Sequence, residues 1–115
     1  MRLLVCGGRH YGATAAERDA LYMEISRLRP HIIINGGAEG ADELARAWAH
    51  YHGKLCLTYP AEWRRYGRAA GPMRNQRMLD EGQPDALLAA PGSRGTADMV
   101  RRARACGLPV YELLA

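Results

Sequence analysis

Short apolar runs alternate along the chain with segments in which apolar residues recur every three or four positions. The apolar runs predict five strands, at residues 2–6, 32–34, 54–59, 86–90 and 108–113. The second run is three consecutive isoleucines, Ile32–Ile34, which is typical of a strand covered on both faces. Continuous runs of this kind favour a parallel sheet buried between layers of helices.

The segments between these runs carry the signals of four helices. Thr14 and Glu17 have the spacing of a capping box, so the first helix is predicted to begin there, and Pro30 ends it. The other three are predicted from Ala41 to Gly53, from the Gly71–Pro72 pair to Gly82, and from Thr96 to Gly107. Residues 60–70 are basic and aromatic and show no clear periodicity.

Five strands alternating with four helices predict one α/β domain over residues 1–115, a sandwich with a mostly parallel five-stranded sheet. In sheets of this kind, ligands bind beyond the carboxyl ends of the strands, where the strand order reverses. Three glycine-rich turns stand at strand-to-helix junctions, so the sequence predicts that a binding site lies at these turns.

The composition is that of a single globular domain. The chain has 115 residues and a mass of 12.7 kDa, with 48% hydrophobic and 24% charged residues. No apolar run approaches the ~18 residues of a membrane span, and the apolar start, Leu3–Cys6, is too short for a signal peptide. Three separated cysteines, Cys6, Cys56 and Cys106, match no metal spacing and are interpreted as buried thiols of a cytoplasmic protein.

The basic residues are almost all arginine. The formal net charge is +4, and Lys54 is the one lysine among 16 basic residues. Arginine presents a planar fork that suits phosphate and stacks on bases, although a codon preference for arginine would leave the same composition. The charge therefore permits a nucleotide or nucleic-acid partner without establishing one.

The first two glycine-rich turns are candidate ligand-binding loops. The first, with Gly7, Gly8 and Arg9, matches neither GxGxxG nor GxxxxGK[ST], and its glycines suit either close approach to a ligand or a tight turn. The second places glycines at a helix N-terminus, where amides and the helix dipole favour an anion; its candidate residues are Gly36, Gly37, Ala38, Gly40 and Asp42. Asp42 is interpreted either as a cap of this helix or as the acceptor of a ribose hydroxyl.

The third turn is the strongest candidate for phosphate binding. It combines two glycines, two hydroxyl side chains and an arginine at a strand-to-helix junction, in Pro91, Gly92, Ser93, Arg94, Gly95 and Thr96. Its amides and hydroxyls are predicted to hold a phosphate, with Arg94 closing over it.

The helix that follows Gly71–Pro72 supplies further candidates. Arg74 and Arg77 are three residues apart near its N-terminus, so they suit either a shared anionic ligand or a solvated basic face, and Asn75 stands between them. Trp63 and Tyr66, in the preceding segment, are interpreted either as a wall for a base or as core residues. The four histidines show no ligand spacing with cysteine or carboxylate, so no metal is expected. Because the chain has neither GxGxxG nor GxxxxGK[ST], no cofactor is expected either.

Four segments together, Cys6–Arg9, Gly36–Asp42, Gly71–Met78 and Pro91–Thr96, resemble the SLOG superfamily and in particular its small YspA/YpsA-related group. The resemblance covers essentially the whole chain and implies a Rossmann-like three-layer fold that binds a nucleotide. It also implies a homo-oligomer, because members of the superfamily often assemble. The superfamily includes LOG-type phosphoribohydrolases, DNA-processing DprA/Smf proteins and ligand-sensing domains.

The LOG-type enzymes carry the pattern PGGxGTxxE, whose glutamate belongs to the catalytic site. Met99 stands at the place of that glutamate; Asp98, one residue earlier, is predicted to be rotated by about 100° on the helix and to face away from the loop. The first hypothesis is therefore binding of a nucleotide or a nucleotide-derived molecule such as an ADP-ribose derivative. The alternatives are hydrolysis of a nucleotide's N-glycosidic bond, with Asp98, Glu39 or Asp42 as candidate carboxylates, and binding of single-stranded nucleic acid.

Overall fold

A computed structural model describes residues 1–114 of the chain. These residues form, in chain order, β1 (Arg2–Cys6), α1 (Ala15–Leu28), β2 (Ile32–Asn35), α2 (Ala41–Tyr51), β3 (Leu55–Thr58), α3 (Trp63–Tyr66), α4 (Ala70–Asp80), β4 (Ala86–Ala89), α5 (Arg94–Ala105) and β5 (Val110–Glu112). The five predicted strands and the four predicted helices, α1, α2, α4 and α5, are confirmed.

The strands form one sheet in the order β3-β2-β1-β4-β5, and all four neighbouring pairs are parallel. In the centre, Leu4 pairs with Ile34 of β2 on one side and with Leu87 of β4 on the other. The chain builds outward from β1 to β3 and then returns to place β4 against the free side of β1. The strand order therefore reverses between β1 and β4.

Two hydrophobic clusters pack against the two faces of the sheet, because successive side chains of a strand point to opposite faces. Leu3 and Val5 share one cluster with residues of α1 and α2, and Leu4 and Cys6 share the other with residues of α4 and α5. The result is a Rossmann-like three-layer α/β fold. Within residues 1–114, no helix combines the length and the apolar character that crossing a membrane requires.

The helix starts follow local hydrogen bonding, with small departures from the predicted boundaries. The Thr14 side chain accepts the amide of Glu17 at 3.1 Å, as the capping-box spacing predicts. Helix α5 begins at Arg94, which is earlier than the sequence indicates, so Gly95 and Thr96 belong to its first turn. Helix α4 begins at Ala70, one residue before the predicted glycine–proline pair.

Residues 60–70 are more regular than the sequence pattern indicates. They contain the one-turn helix α3, followed by a 3-10 turn at Gly67–Ala69 that leads directly into α4. A helix of one turn is too short to display a 3.6-residue repeat, which explains why the pattern gave no signal there. The segment brings Trp63 and Arg68 to the start of α4.

Candidate functional site

A cleft lies at the carboxyl ends of β1 and β4, where the strand order reverses. It has a volume of about 500 Å³ and is walled by the turn after β1, the turn before α2, the start of α4 and the start of α5. Parallel α/β sheets bind ligands at this position, and the volume falls within the ~300–1,000 Å³ typical of small-molecule sites.

Two other cavities among the described residues are larger than this cleft. They are lined by fewer of the four motif segments, which are Cys6–Arg9, Gly36–Asp42, Gly71–Met78 and Pro91–Thr96. One, of about 660 Å³, lies between α5 and the end of β5 and shares Ser93 and Thr96 with the cleft. The other, of about 610 Å³, is an apolar groove between α1 and α2 that is lined by Met23 and Tyr51 among others. The cleft between β1 and β4 is therefore the best candidate site, because residues from all four motif segments line it.

The turn after β1 packs closely against the turn after β4 and against the start of α2, and glycines stand at the points of closest approach. The Gly8 amide donates to the Pro91 carbonyl at 2.8 Å, and the Gly8 carbonyl accepts the amide of Ala41 at 3.3 Å. At Gly40, φ is +73° and a Cβ atom would lie 2.2 Å from the Gly8 carbonyl oxygen. A Cβ at Gly7 would lie 2.7 Å from that of Ala41. Contacts between turns thus account for these glycines, and Gly7 and Gly8 also line the cleft.

The turn into α5 presents the N-terminus of this helix to the cleft. Ser93, at the N-cap position, makes no side-chain capping hydrogen bond, and the first amides of a helix have no carbonyl partner inside it. A Cβ at Gly95 would meet no atom within 4 Å, whereas one at Gly92 would lie 2.0 Å from Thr96 Oγ1. Gly95 therefore borders open space at the positive end of the helix dipole, an arrangement that suits an anion.

The turn before α2 is different, because its amides are already engaged. Asp42 Oδ2 accepts the amides of Gly36 at 2.9 Å and Ala38 at 3.3 Å, and Asn35 Oδ1 accepts the amide of Gly37 at 2.8 Å. The expectation that this turn offers exposed amides to an anion is wrong for these three residues. Burial raises the pKa of Asp42, and the amides of Ala38 and Gly36 and the charge of Arg74 offset that rise only in part.

The two arginines of α4 have separate surroundings. Arg74 lines the cleft; its Nη1 donates to the Gly36 carbonyl at 2.5 Å and its Nε to Asn75 Oδ1 at 3.1 Å. Arg77 lies outside the cleft, where it pairs with Glu81 at 2.8 Å and its guanidinium carbon is 5.4 Å from the centre of the Tyr59 ring. The structure therefore brings Arg74 to the other candidates and leaves Arg77 apart from them.

Asp98 is placed in the cleft by three donors. Asn75 Nδ2 and Arg102 Nε donate to its Oδ2 at 3.0 and 2.8 Å, and Arg101 donates to its Oδ1 at 2.5 Å. The same Asn75 nitrogen lies 3.2 Å from the Gly95 carbonyl, so this buried amide joins α4 to the first turn of α5. Burial tends to raise the pKa of Asp98, but the hydrogen bonds from Asn75 and Arg102 and the arginine charges outweigh it and hold the pKa below its usual value.

The prediction that Asp98 faces away from the loop is wrong. Asp98 lines the cleft, and Met99 is fully buried in the cluster that contains Leu4 and Met78. The rotation of about 100° between adjacent helical residues is real, but it turns residue 99, rather than residue 98, into the core. The Asp98 carboxylate is thus a wall of the cleft and is shared between two arginines.

Three further arginines, Arg9, Arg68 and Arg94, line the cleft beside Arg74, and all three are exposed. Arg68 was not among the predicted site residues, although it belongs to the basic and aromatic segment that stands out in the sequence. Trp63 lines the cleft and is 57% exposed, whereas Tyr66 lies outside it, with the Arg65 guanidinium carbon 5.0 Å from its ring centre. Cations therefore outnumber the two cleft carboxylates, Asp42 and Asp98.

The cleft shows no activated nucleophile at its cysteine. Cys6 lines the cleft, but burial and the nearby Asp42 carboxylate raise the pKa of its thiol far above the usual range, so the thiol stays protonated. The interpretation of all three cysteines as buried is wrong for Cys106, which is exposed, while Cys56 is half-buried. Among residues 1–114, no group of three His, Cys, Asp or Glu side chains is arranged to hold a metal ion.

Comparison with known proteins gives two findings. A family model described as "YspA, cpYpsA-related SLOG family" matches residues 1–66. The Gene 61 protein of Mycobacterium phage D29 is 34% identical over 120 residues, an alignment that covers 96% of this chain and 94% of the phage protein. The family match includes the turns after β1 and β2, and the similarity to the phage protein extends over nearly the whole fold.

Proposed function

Because the chain belongs to the YspA, cpYpsA-related SLOG family, we propose that it binds a nucleotide or a nucleotide-derived small molecule, such as an ADP-ribose derivative, in the cleft between β1 and β4. Family membership indicates a nucleotide-related function. The finer assignment rests on one observation, which is the uncapped N-terminus of α5 at the edge of an arginine-lined cleft.

The phosphate of the ligand binds at the start of α5. The first-turn amides and the positive end of the helix dipole attract the anion, and the hydroxyls of Ser93 and Thr96, which line the cleft, can donate further hydrogen bonds. Arg94, on the same turn, supplies a charge that can move with the ligand because its side chain is exposed. Gly95 has no side chain to fill the space that the phosphate takes.

The turn before α2 has a supporting role in this proposal. Its amides donate to Asp42 and Asn35, so they are not available to the phosphate. Its Gly36 carbonyl instead accepts Arg74, which fixes one end of that guanidinium in the cleft wall. A guanidinium that is already positioned loses less conformational entropy when it meets an anion.

Hydrolysis of a nucleotide's N-glycosidic bond is a second candidate, favoured by the position of Asp98 in the cleft. Such a reaction needs a carboxylate to stabilise the positive charge that develops on the ribose. Asp98 already accepts two arginines and one amide, so much of its negative charge is compensated before a ligand arrives. Binding without efficient hydrolysis is therefore the better-supported function.

Isothermal titration calorimetry with a Gly95→Asp variant tests the proposal. Wild type is titrated with the four nucleoside 5′-monophosphates and with ADP-ribose, and we expect binding of at least one of them. A carboxylate at residue 95 occupies the proposed phosphate position and repels the anion. Loss of one charge-assisted hydrogen bond costs roughly 1.5–3 kcal/mol, so the affinity should fall by about 10- to 150-fold or more.

Ala97→Asp is the matched control, because Ala97 is exposed on the same helix and faces the neighbouring cavity instead of the cleft. It adds the same charge near the same helix end and should leave the affinity close to that of wild type. A folded Gly95→Asp variant with wild-type affinity would contradict the phosphate assignment. Steep loss of affinity with salt, and preference for oligonucleotides, would favour the nucleic-acid alternative instead.

A further inference from the structure

Trp63 is a large aromatic side chain left exposed at the cleft. It lines the cleft with 57% of its surface accessible. It belongs to α3, a helix of only one turn. The other tryptophan, Trp48, is the opposite case: it is 6% exposed, and its indole N–H donates to Ser26 Oγ at 2.9 Å. Burial in the core explains Trp48 but leaves the position of Trp63 unexplained.

The Trp63 ring rests on the backbone of α4 at Gly71. A Cβ atom at Gly71 would lie 3.2 Å from Trp63 Cη2 and 3.8 Å from Cζ3. Glycine is among the least favourable residues inside a helix, yet here it allows the indole to lie directly against the first turn of α4. The indole is therefore supported from the helix side while more than half of its surface stays accessible.

The cleft combines this ring with cations suited to phosphate. Arg68 follows Trp63 in the same segment, and Arg74 projects from the helix that supports the indole. Arginines and a helix N-terminus satisfy a phosphate, but they give no reason for an exposed indole. An indole presents a flat apolar face, on which any of the nucleotide bases can stack.

We propose that Trp63 is the platform on which the base of the bound nucleotide stacks, so that the site selects a phosphorylated ligand that carries an aromatic base over a simple sugar phosphate. This inference rests on the proposed function. It names the residue that recognises the base, whereas the start of α5 recognises the phosphate.

Intrinsic fluorescence can follow Trp63 selectively. The chain has two tryptophans, so a Trp48→Phe variant, whose fold is checked by circular dichroism, leaves Trp63 as the single tryptophan. Excitation at a wavelength that tyrosine does not absorb then selects its emission. Adenosine 5′-monophosphate should quench or shift its emission saturably, at the concentration at which calorimetry shows binding. Ribose 5-phosphate, which lacks the base, should leave the emission unchanged even where it binds.

Calorimetry with Trp63 variants gives the energetic test. Stacking on an aromatic side chain contributes about 1–3 kcal/mol per base, so Trp63→Ala should weaken adenosine 5′-monophosphate binding by about 5- to 150-fold. The affinity for ribose 5-phosphate should not change, and Trp63→Phe should retain most of the nucleotide affinity. An equal loss for both ligands would overturn the inference, since it would mean that Trp63 only shapes the cleft.

The outcomes separate this inference from the proposed function. Suppose that wild type binds nucleotides, that Trp63→Ala binds them with the same affinity, and that the base does not change the emission of Trp63. The platform is then wrong and the proposed function stands. If wild type binds none of the nucleotides, the proposed function is wrong and the platform is rejected with it. Loss of self-association in Trp63→Ala, with unchanged nucleotide affinity, would assign the exposed ring to an interface and also reject the platform.

Discussion

Replacement of Met99 by glutamate is expected to destabilise the domain strongly, and not to create a hydrolase. By sequence pattern, Met99→Glu restores the carboxylate that LOG-type enzymes carry after their glycine-rich loop. In this fold, however, Met99 is fully buried beside Leu4, Ile34 and Leu87, and the cleft-facing position belongs to Asp98. The new carboxylate would therefore enter the hydrophobic core between the sheet and α5.

The expected loss of stability is large. Removal of a buried methionine side chain forfeits about 1.5–3 kcal/mol, and an unpaired buried carboxylate costs several kcal/mol more, for a total of roughly 5 kcal/mol. Domains have unfolding free energies of roughly 0.05–0.15 kcal/mol per residue, so this domain is expected to have about 6–17 kcal/mol. A loss of that size lowers the melting temperature by about 20 °C.

Thermal unfolding followed by circular dichroism between pH 4 and pH 8 is the assay. Burial raises the pKa of the introduced glutamate in the folded state, so the part of the penalty that comes from ionisation is small while the side chain is neutral in both states. The loss of the methionine side chain lowers the stability at every pH. The penalty grows as the pH rises above the unfolded-state pKa of about 4.3. The gap in melting temperature between wild type and variant should therefore widen towards pH 8.

Met99→Leu is the control, because a volume-conserving apolar exchange costs less than about 1.5 kcal/mol. Its melting temperature should stay within a few degrees of wild type at every pH. If Met99→Glu melted like Met99→Leu at pH 8, residue 99 would face open space. The placement of Asp98 in the cleft would then be refuted as well.

Three other predictions follow from the site. Arg74→Ala should weaken nucleotide binding in calorimetry by about 10- to 150-fold, whereas Arg77→Ala, one turn away and outside the cleft, should not; equal losses would indicate diffuse electrostatics. Because the pKa of Asp98 is lowered in the folded protein, its ionised form contributes stability above about pH 4 that is lost on acidification. Asp98→Asn should thus lower the melting temperature at pH 7 by more than at pH 3. A difference in melting temperature that does not depend on pH would contradict this. Wild type incubated with nucleoside monophosphates should release little free base in a chromatographic assay; robust turnover that Asp98→Asn abolishes would establish the hydrolase alternative.

The sequence pattern predicts most of the fold because the elements are set by local signals. The isoleucine run of β2 is covered on both faces as its continuous pattern indicates, and Thr14 caps α1 as its spacing from Glu17 indicates. The convergence of the glycine-rich turns could also be predicted, because the carboxyl ends of parallel strands lie at one edge of the sheet. The family match agrees with the fold.

The errors concern contacts that form only in the folded chain. The start of α5 depends on how its turn packs against the turn after β1: a Cβ at Gly92 would lie 2.8 Å from the Gly8 amide nitrogen, and this proximity is not visible in the sequence. In the turn before α2, the amides of Gly36 and Ala38 donate to Asp42, and this pairing forms only when the turn has folded. Arg74 and Arg77 have different surroundings because they lie on different sides of α4. The side with Arg74 faces the cleft, and the side with Arg77 faces Tyr59.

The most direct test of nucleotide binding at the start of α5 is a titration of the ¹⁵N-labelled protein with adenosine 5′-monophosphate, followed by the backbone amide shifts in ¹H–¹⁵N correlation spectra. We expect the largest saturable shifts at Arg94, Gly95 and Thr96, whose amides begin α5. The amides of Met23 and Tyr51, which line the apolar groove between α1 and α2, should not move. Saturable shifts confined to other surfaces, with residues 94–96 unchanged, would contradict nucleotide binding at the start of α5.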